Sequence, residues 1–215
     1  MIRRFLTDSD RLEAFSDGVL AVIITIMVLE LRPPSGTQLA SLVPVLPGMA
    51  TYALSFVFIG IYWNNHHHML RASRGIDGSA MWANLHLLFW LSLVPFATAW
   101  LGAHPNAAGP TAFYATILLL DAIAYAILVR TLLRVNGQNA PFARAVAGDF
   151  KGRISIAFYL GAIAAAFFVP LASDALMVAV AVMWLVPDRR FEALIDRNRE
   201  EATASPESAD REAGA

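Results

Sequence analysis

The chain contains 215 residues, of which 57% are hydrophobic and 15% are charged, whereas an ordinary soluble domain has about 25% charged residues. The formal net charge of −1 gives no reason to expect a nucleic-acid partner. The absence of cysteine excludes disulfides, thiolate metal sites and cysteine nucleophiles. This composition indicates a protein of the lipid bilayer.

Charged residues are concentrated towards the two ends of the chain. Residues 1–10 are predicted to form a cytoplasmic N-terminus, and residues 11–187 form a long apolar region with short polar breaks. Residues 188–215 contain only three large aliphatic or aromatic side chains, too few to bury a core. We therefore predict a membrane domain over residues 11–187, followed by a disordered cytoplasmic tail.

The apolar region is divided into six segments, each a candidate for a membrane-spanning helix of about 20 residues. None of them alternates between apolar and polar residues, so the prediction is an all-α membrane protein and not a barrel. The last two segments could instead form one hairpin with a tight turn at residues 172–174. The predicted spans are residues 11–31, 46–67, 77–101, 110–133, 154–171 and 174–186.

The basic residues indicate the orientation of these spans, because cytoplasmic loops of membrane proteins carry an excess of lysine and arginine. If the N-terminus is cytoplasmic, Arg32 alone among the 16 basic residues lies on the outer side. This asymmetry predicts an even number of spans and places both termini in the cytoplasm. The protein is accordingly expected to be a multi-pass protein of the cell membrane.

The first span carries a distinctive polar pattern. It reads R-x-x-x-F-S-D, formed by Arg11, Phe15, Ser16 and Asp17, and Thr25 follows eight residues after the aspartate. The pattern resembles the signature of the lysosomal/endosomal potassium channel family, and in particular its bacterial branch, which has six spans per subunit. Further similarity lies in the stretch from Trp63 to His67, in Asn84, and in the run from Leu93 to Phe96.

This resemblance implies a homotetramer in which the first span of each subunit lines a central pathway for K⁺. We also expect no enzymatic activity, no cofactor and no small-molecule substrate. The family lacks the carbonyl filter of ordinary potassium channels, and the sequence likewise has no T-V-G-Y-G-like loop. Consistent with a non-enzyme, the sequence shows no nucleophile–base constellation, phosphate-binding loop or metal motif.

One face of the first span can be compared with that implication. Arg11, Phe15, Gly18, Val22, Thr25, Ile26 and Leu29 fall within an arc of about 100° on a helix. Such a seam is typical of ordinary helix packing, but the resemblance implies that it is the face that lines the pore. The expected pore-lining residues are Val22, Thr25, Ile26 and Leu29, with rings of Val22 and Leu29 as hydrophobic constrictions. The family usually has a larger residue at the position of Val22, so this ring would be wider.

The charged residues of the first span need partners on other helices. Arg11 and Asp17 are six residues apart and lie on different helix faces, so they cannot pair with each other. Polar residues at the same depth occur at the end of the second span and the start of the third. We predict an intrasubunit network that comprises Arg11, Phe15, Ser16, Asp17, His66, His67, Asn84 and His86.

Two further features leave alternatives open. Consecutive histidines at residues 66–68 point about 100° apart, which disfavours a shared metal ion and favours an interfacial cluster. Asp121, in the middle of the fourth span, could relay protons or cations, or could form a hydrogen bond between helices or with Tyr125.

Two functions compete with the potassium channel. The first is a proton-coupled secondary transporter that uses Asp17, Asp121 and the histidines at the membrane boundary, although the two halves of the chain show no internal duplication. The second is a non-conducting scaffold or receptor, in which the apolar seam of the first span only packs.

Overall fold

The computed structural model describes residues 9–73, 75–137 and 150–185, and the secondary structure of these residues is helical. The predicted N-terminal segment therefore lies largely outside the described residues, and the predicted tail lies wholly outside them. The helices are α1 (Ser9–Leu29), α2 (Leu46–Ala72), α3 (Gly78–Leu91), α4 (Val94–Ala103), α5 (Ala108–Asn136), α6 (Phe150–Ala166) and α7 (Pro170–Leu185), with a 3₁₀ helix over Leu39–Val45 before α2.

Four helical segments among these residues are long and apolar enough to cross a bilayer. They correspond to the first four predicted spans. The helix α7 is apolar but shorter, and α6 has 17 residues. The prediction of an all-helical membrane fold is confirmed at this level. The spanning segments are Ser9–Leu29, Leu39–Ala72, Gly78–Ala103 and Ala108–Asn136.

The third span is not one continuous helix, as predicted, but two helices with a break at Ser92 and Leu93. The cause is Pro95, in the first turn of α4, since proline has no N–H to donate and its ring clashes with the carbonyl one turn earlier. The hydroxyl of Ser92 donates to the carbonyl of Phe89 at 2.6 Å, so one carbonyl near the end of α3 gains a partner. The break places a bend in the middle of this span.

The turn between the last two helices also differs from the prediction. It lies at residues 167–169, before Pro170, and not at residues 172–174. Proline is favoured in the first turn of a helix because its fixed backbone angle suits that position and its missing N–H has no partner there. The polarity of residues 172–174 predicts a turn there, but Ser173 is buried within α7.

The core of the subunit is built around α5, which packs against α3, α4, α6 and α7. Tyr114, Leu118, Leu128 and Leu132 on this helix are fully buried. In contrast, α1 lies at one side and contacts α2, α3 and α4. Large apolar side chains remain exposed on the outer faces of the helices, as expected for surfaces covered by lipid or by another subunit.

Two glycines allow a close crossing of α2 and α4. A Cβ atom on Gly102 would lie only 2.9 Å from the Cα of Gly48, closer than real Cβ atoms approach other backbones. Small residues at helix crossings permit such approach inside membranes, where packing is the main source of association. The crossing holds α4, and therefore the bend at Pro95, against α2.

We predict that Gly102→Ala lowers the melting temperature of the detergent-solubilised protein, because overpacking typically costs about 1–3 kcal/mol. The matched control is Gly60→Ala, since a Cβ there would meet nothing within 4 Å. That control should keep or raise the melting temperature, because alanine favours a helix over glycine by roughly 0.5–1 kcal/mol. Equal melting temperatures for the two variants would contradict the close crossing.

Candidate functional site

The helix α1 has one buried face and one exposed face. Ser16, Leu20, Ile23 and Met27 recur at helical spacing, and all four are buried against the rest of the subunit. This periodicity explains why α1 packs with a fixed rotation, since a helix buries the stripe of residues that share one direction. The opposite face is therefore determined as well.

The predicted pore-lining residues all lie on the exposed face. Val22 is 55% exposed, Ile26 is 42% exposed and Leu29 is 80% exposed. Thr25 is exposed too, and its hydroxyl donates to the carbonyl of Val22 at 2.9 Å. Because that bond uses the hydroxyl hydrogen, the oxygen lone pairs of Thr25 remain available outside the helix.

An open groove of about 760 Å³ runs along this exposed face, between α1 and the start of α4. Phe15, Gly18, Val22 and Ile26 line it from α1. Across the groove lie Ser92, at the break, with Pro95, Phe96 and Ala99 of α4. The groove is thus almost wholly apolar, with Glu30 at its far end.

Behind α1, three polar side chains form a buried hydrogen-bonded chain. The amide nitrogen of Asn84 on α3 donates to the hydroxyl oxygen of Ser16 on α1 at 3.0 Å. The amide oxygen of Asn84 lies 2.6 Å from Nε2 of His66 on α2 and accepts its hydrogen. The three residues are at most 2% exposed. The structure therefore joins α1, α2 and α3 through Asn84.

This chain also decides the tautomer of His66. The two ends of a carboxamide are distinct, and the nitrogen of Asn84 is committed to Ser16, whose own hydroxyl donates to the carbonyl of Leu12 at 2.8 Å. Only the oxygen of Asn84 is left for His66, so Nε2 of the imidazole carries the hydrogen. Nδ1 of His66 has no hydrogen-bond partner among the described residues.

A second polar group joins α1 to α2 through Glu13 and Asp17. Nε1 of Trp63 donates to a carboxylate oxygen of Asp17 at 3.0 Å. The ring of Trp63 stacks on that of His67, with centroids 6.0 Å apart. His67 Nδ1 in turn lies 2.6 Å from Oε1 of Glu13, and Arg71 Nε lies 3.7 Å from the same oxygen.

The sequence interpretation differs from this arrangement in four respects. Asp17 is half-buried and its partner is Trp63, and not one of the histidines or asparagines. The side chain of Arg11 is exposed on α1, and the described hydrogen bonds of the two groups do not include it. Phe15 is exposed towards the groove, while His86 is exposed and accepts from Trp90 on its own helix at 2.9 Å.

Glu13 was missed by the sequence interpretation. The sequence does contain an indication of its role, because Glu13 lies one turn before Asp17 and the two carboxylates share one side of α1. The helix α2 also continues to Ala72 and does not end at His67, so the histidines lie inside a helix. Among the described residues, no group of three or more potential ligands is placed to hold a metal ion.

Asp121 is fully buried in α5, and neither carboxyl oxygen has a hydrogen-bond partner among the described residues. Of the alternatives for Asp121, neither the hydrogen bond with Tyr125 nor one to another helix is formed among the described residues. The ring of Tyr125 packs edge-on against Tyr62, at 5.9 Å between centroids. Burial without a hydrogen bond is costly for a carboxyl group. The sequence could not reveal this lack of a partner, because Tyr125 follows Asp121 by four residues and so lies on the same face of the helix.

We predict that Asn84→Leu destabilises the protein by about 1–3 kcal/mol, because it leaves the buried polar groups of Ser16 and His66 without their shared partner. The measurement is thermal unfolding of the purified protein in detergent. His86→Leu, on the same helix but exposed, should change stability by less than about 0.5 kcal/mol. A similar small change for both variants would show that Asn84 does not hold α1 in place.

Comparison with known proteins agrees with this architecture. The family described as the endosomal/lysosomal potassium channel TMEM175 matches residues 11–95. A protein of Chryseobacterium sp. (strain P1-3) named as a potassium channel is 50% identical over 188 residues, covering 87% of this chain and 98% of that protein. A protein of Streptomyces collinus, also named as a potassium channel, is 33% identical over 153 residues, covering 65% and 74% of the two chains.

A solved structure is similar as well. The crystal structure of a homologue of the lysosomal potassium-selective channel TMEM175 from Chamaesiphon minutus superimposes with a TM-score of 0.71 and 29% sequence identity. The match covers 83% of this chain and 96% of that one. Since the relatives match over most of their own length, the chain belongs to the bacterial branch of the TMEM175 channel family, and it is a multi-pass membrane protein and not an enzyme.

Proposed function

We propose that four copies of this chain form a potassium channel in the inner membrane, with α1 of each subunit lining one central pore. The observation that carries the proposal is the exposed apolar face of α1 in a subunit whose relatives are named as potassium channels. The opposite face of α1 is fixed against α2, α3 and α4, so the exposed face is available to surround an axis.

The positions along α1 support two narrow levels in such a pore. Val22 and Leu29 are seven residues apart, which corresponds to about 10 Å along a helix. Four copies of each would form apolar rings that can gate by dewetting. The oxygen of Thr25 lies between these levels and provides a polar contact for a cation that has passed one ring.

The groove beside α1 supports the assembly of several subunits. Phe96 on α4 is 61% exposed and Phe15 on α1 is 53% exposed, and both line the groove. An apolar groove next to the pore helix is suited to the packing of a neighbouring subunit, because packed side chains contribute most of helix association in lipid. We infer that, in a homotetramer, a neighbouring subunit packs against the α4 side of this groove, around Phe96, and leaves the Val22 side facing the pore.

Six spans per subunit and cytoplasmic termini complete the proposal. The helices α6 and α7 would be the fifth and sixth spans, although at about 25 Å they are slightly shorter than a typical bilayer core. The distribution of basic residues supports this topology. In this orientation Ser16, Asn84 and His66 lie on the cytoplasmic side of the two constrictions and hold α1 from behind.

Cysteine accessibility tests the pore, and the chain needs no prior removal of native cysteines. Val22→Cys, Thr25→Cys and Leu29→Cys should react with charged thiol reagents in liposomes and lose most K⁺ flux, because water reaches that face. Leu20→Cys, whose native side chain is 2% exposed, should be protected and keep its flux.

The decisive control is Leu160→Cys on α6. Leu160 and Val22 are both 55% exposed in the single subunit. If exposure of Val22 meant contact with lipid, as we expect for Leu160, the two cysteines would react equally slowly. Equal protection of both, or block from both, would remove α1 from the pore.

Ion gradients separate a channel from the proton-coupled transporter. In liposomes with a K⁺ gradient, the reversal potential should follow that gradient and should not move when a pH gradient is added. A reversal potential that follows both gradients would favour the transporter.

Val22→Leu should narrow the first ring by about one methylene per subunit and change the K⁺ over Na⁺ permeability ratio more than Ile24→Leu does.

A further inference from the structure

A second cavity lies away from the groove of α1, and none of the described residues lines both. It is a cleft of about 440 Å³ among α2, α5, α6 and α7. Most of its wall is apolar or aromatic, and the indole of Trp184 donates to the hydroxyl oxygen of Ser155 at 2.8 Å. Because that polar hydrogen already has a partner, the ring of Trp184 needs no polar group from an occupant.

The two ends of the cleft differ in polarity. One end is closed by Phe58 and Tyr159, each 2% exposed. The other end is lined by Arg130 and Arg153, whose side chains are exposed. Arg130 is eight residues beyond Ala122 on α5, which corresponds to a depth of about 12 Å.

The charge of the lining restricts the occupant. Among the described residues that line the cleft, two are arginines and none is acidic. Guanidinium groups bind phosphate oxygens through paired hydrogen bonds, whereas a flexible hydrocarbon chain needs only an apolar wall. An occupant that suits both ends has an anionic head and an apolar tail.

We propose that the cleft binds an anionic phospholipid of the inner leaflet, with its phosphate at Arg130 and Arg153 and one acyl chain between α5 and α6. The proposal rests on the orientation inferred above, which places both arginines at the cytoplasmic boundary of the membrane. Basic pockets between helices on this side are suited to anionic headgroups. The closed end then lies near the middle of the bilayer, where an acyl chain of that leaflet ends.

Retention of lipid during native mass spectrometry tests the headgroup. The full chain is purified from a mixture of phosphatidylglycerol and phosphatidylcholine, and phosphatidylglycerol should be retained preferentially. Arg130→Gln and Arg153→Gln should each lower this preference about fivefold, the effect of one basic residue near an anionic surface. Arg134→Gln is the matched control, because Arg134 bonds to Ser79 and does not line the cleft.

A second pair of variants tests the acyl chain. Ala126→Phe fills the cleft from α5 and should abolish retention, whereas Ala157→Phe places the same ring on an exposed position of α6 outside it. Melting temperatures identify any variant that fails to fold. Retention by Ala126→Phe equal to that of Ala157→Phe would overturn binding in the cleft, as would equal retention of both lipids by the unchanged protein.

These outcomes are independent of conduction. Lipid retention is measured in detergent, and K⁺ flux of the same protein is measured in liposomes. Flux without a preference for phosphatidylglycerol would overturn the lipid site and leave the channel intact. Preference for phosphatidylglycerol without flux would support the lipid site and contradict the channel.

Discussion

The side chain of Asn84 joins α1 to the rest of the subunit. Its amide donates to Ser16 and accepts from His66, so one residue on α3 fixes the rotation of α1 and the tautomer of a histidine on α2. Apolar packing in a membrane is weakly directional, because lipid tails are as apolar as the side chains they replace. Two buried polar groups, Ser16 and His66, share Asn84 as their partner and supply the directional constraint that apolar packing lacks.

Because one face of α1 is fixed in this way, its other face is left exposed in the single subunit. This rotation determines the exposure of Val22, Thr25 and Leu29, since they lie opposite the buried residues Leu20 and Met27. A turn of α1 by one residue would bring different side chains to the exposed face. The buried chain of hydrogen bonds and the proposed constrictions are therefore two consequences of one packing arrangement.

The polar groups of the subunit are not all satisfied to the same degree. The Trp63–Asp17 contact is exposed to solvent in the single subunit, and the less exposed Glu13 contacts His67 and Arg71. Asp121, by contrast, is buried in α5 without a hydrogen-bond partner among the described residues. Such a group costs stability.

Local chemistry in the sequence determined the class of the protein, the first four spans and the polar residues at one level of the membrane. Apolar length, basic asymmetry and the pattern around Ser16 are readable without coordinates. The sequence also contains Pro95 and Pro170. Only the structure shows that the first breaks the third span into two helices and that the second begins the last helix.

Only the tertiary structure decided which polar groups meet. Asn84 and His86 are two residues apart on α3, yet one is buried between α1 and α2 while the other is exposed. Asp17 accepts a hydrogen bond from Trp63 although histidines lie nearby. Asp121 forms no hydrogen bond with Tyr125 although the two are four residues apart on one helix. The physical reason is that helical periodicity determines the direction of each side chain on its own helix, whereas partners across helices depend on rotations and crossings determined by the whole core.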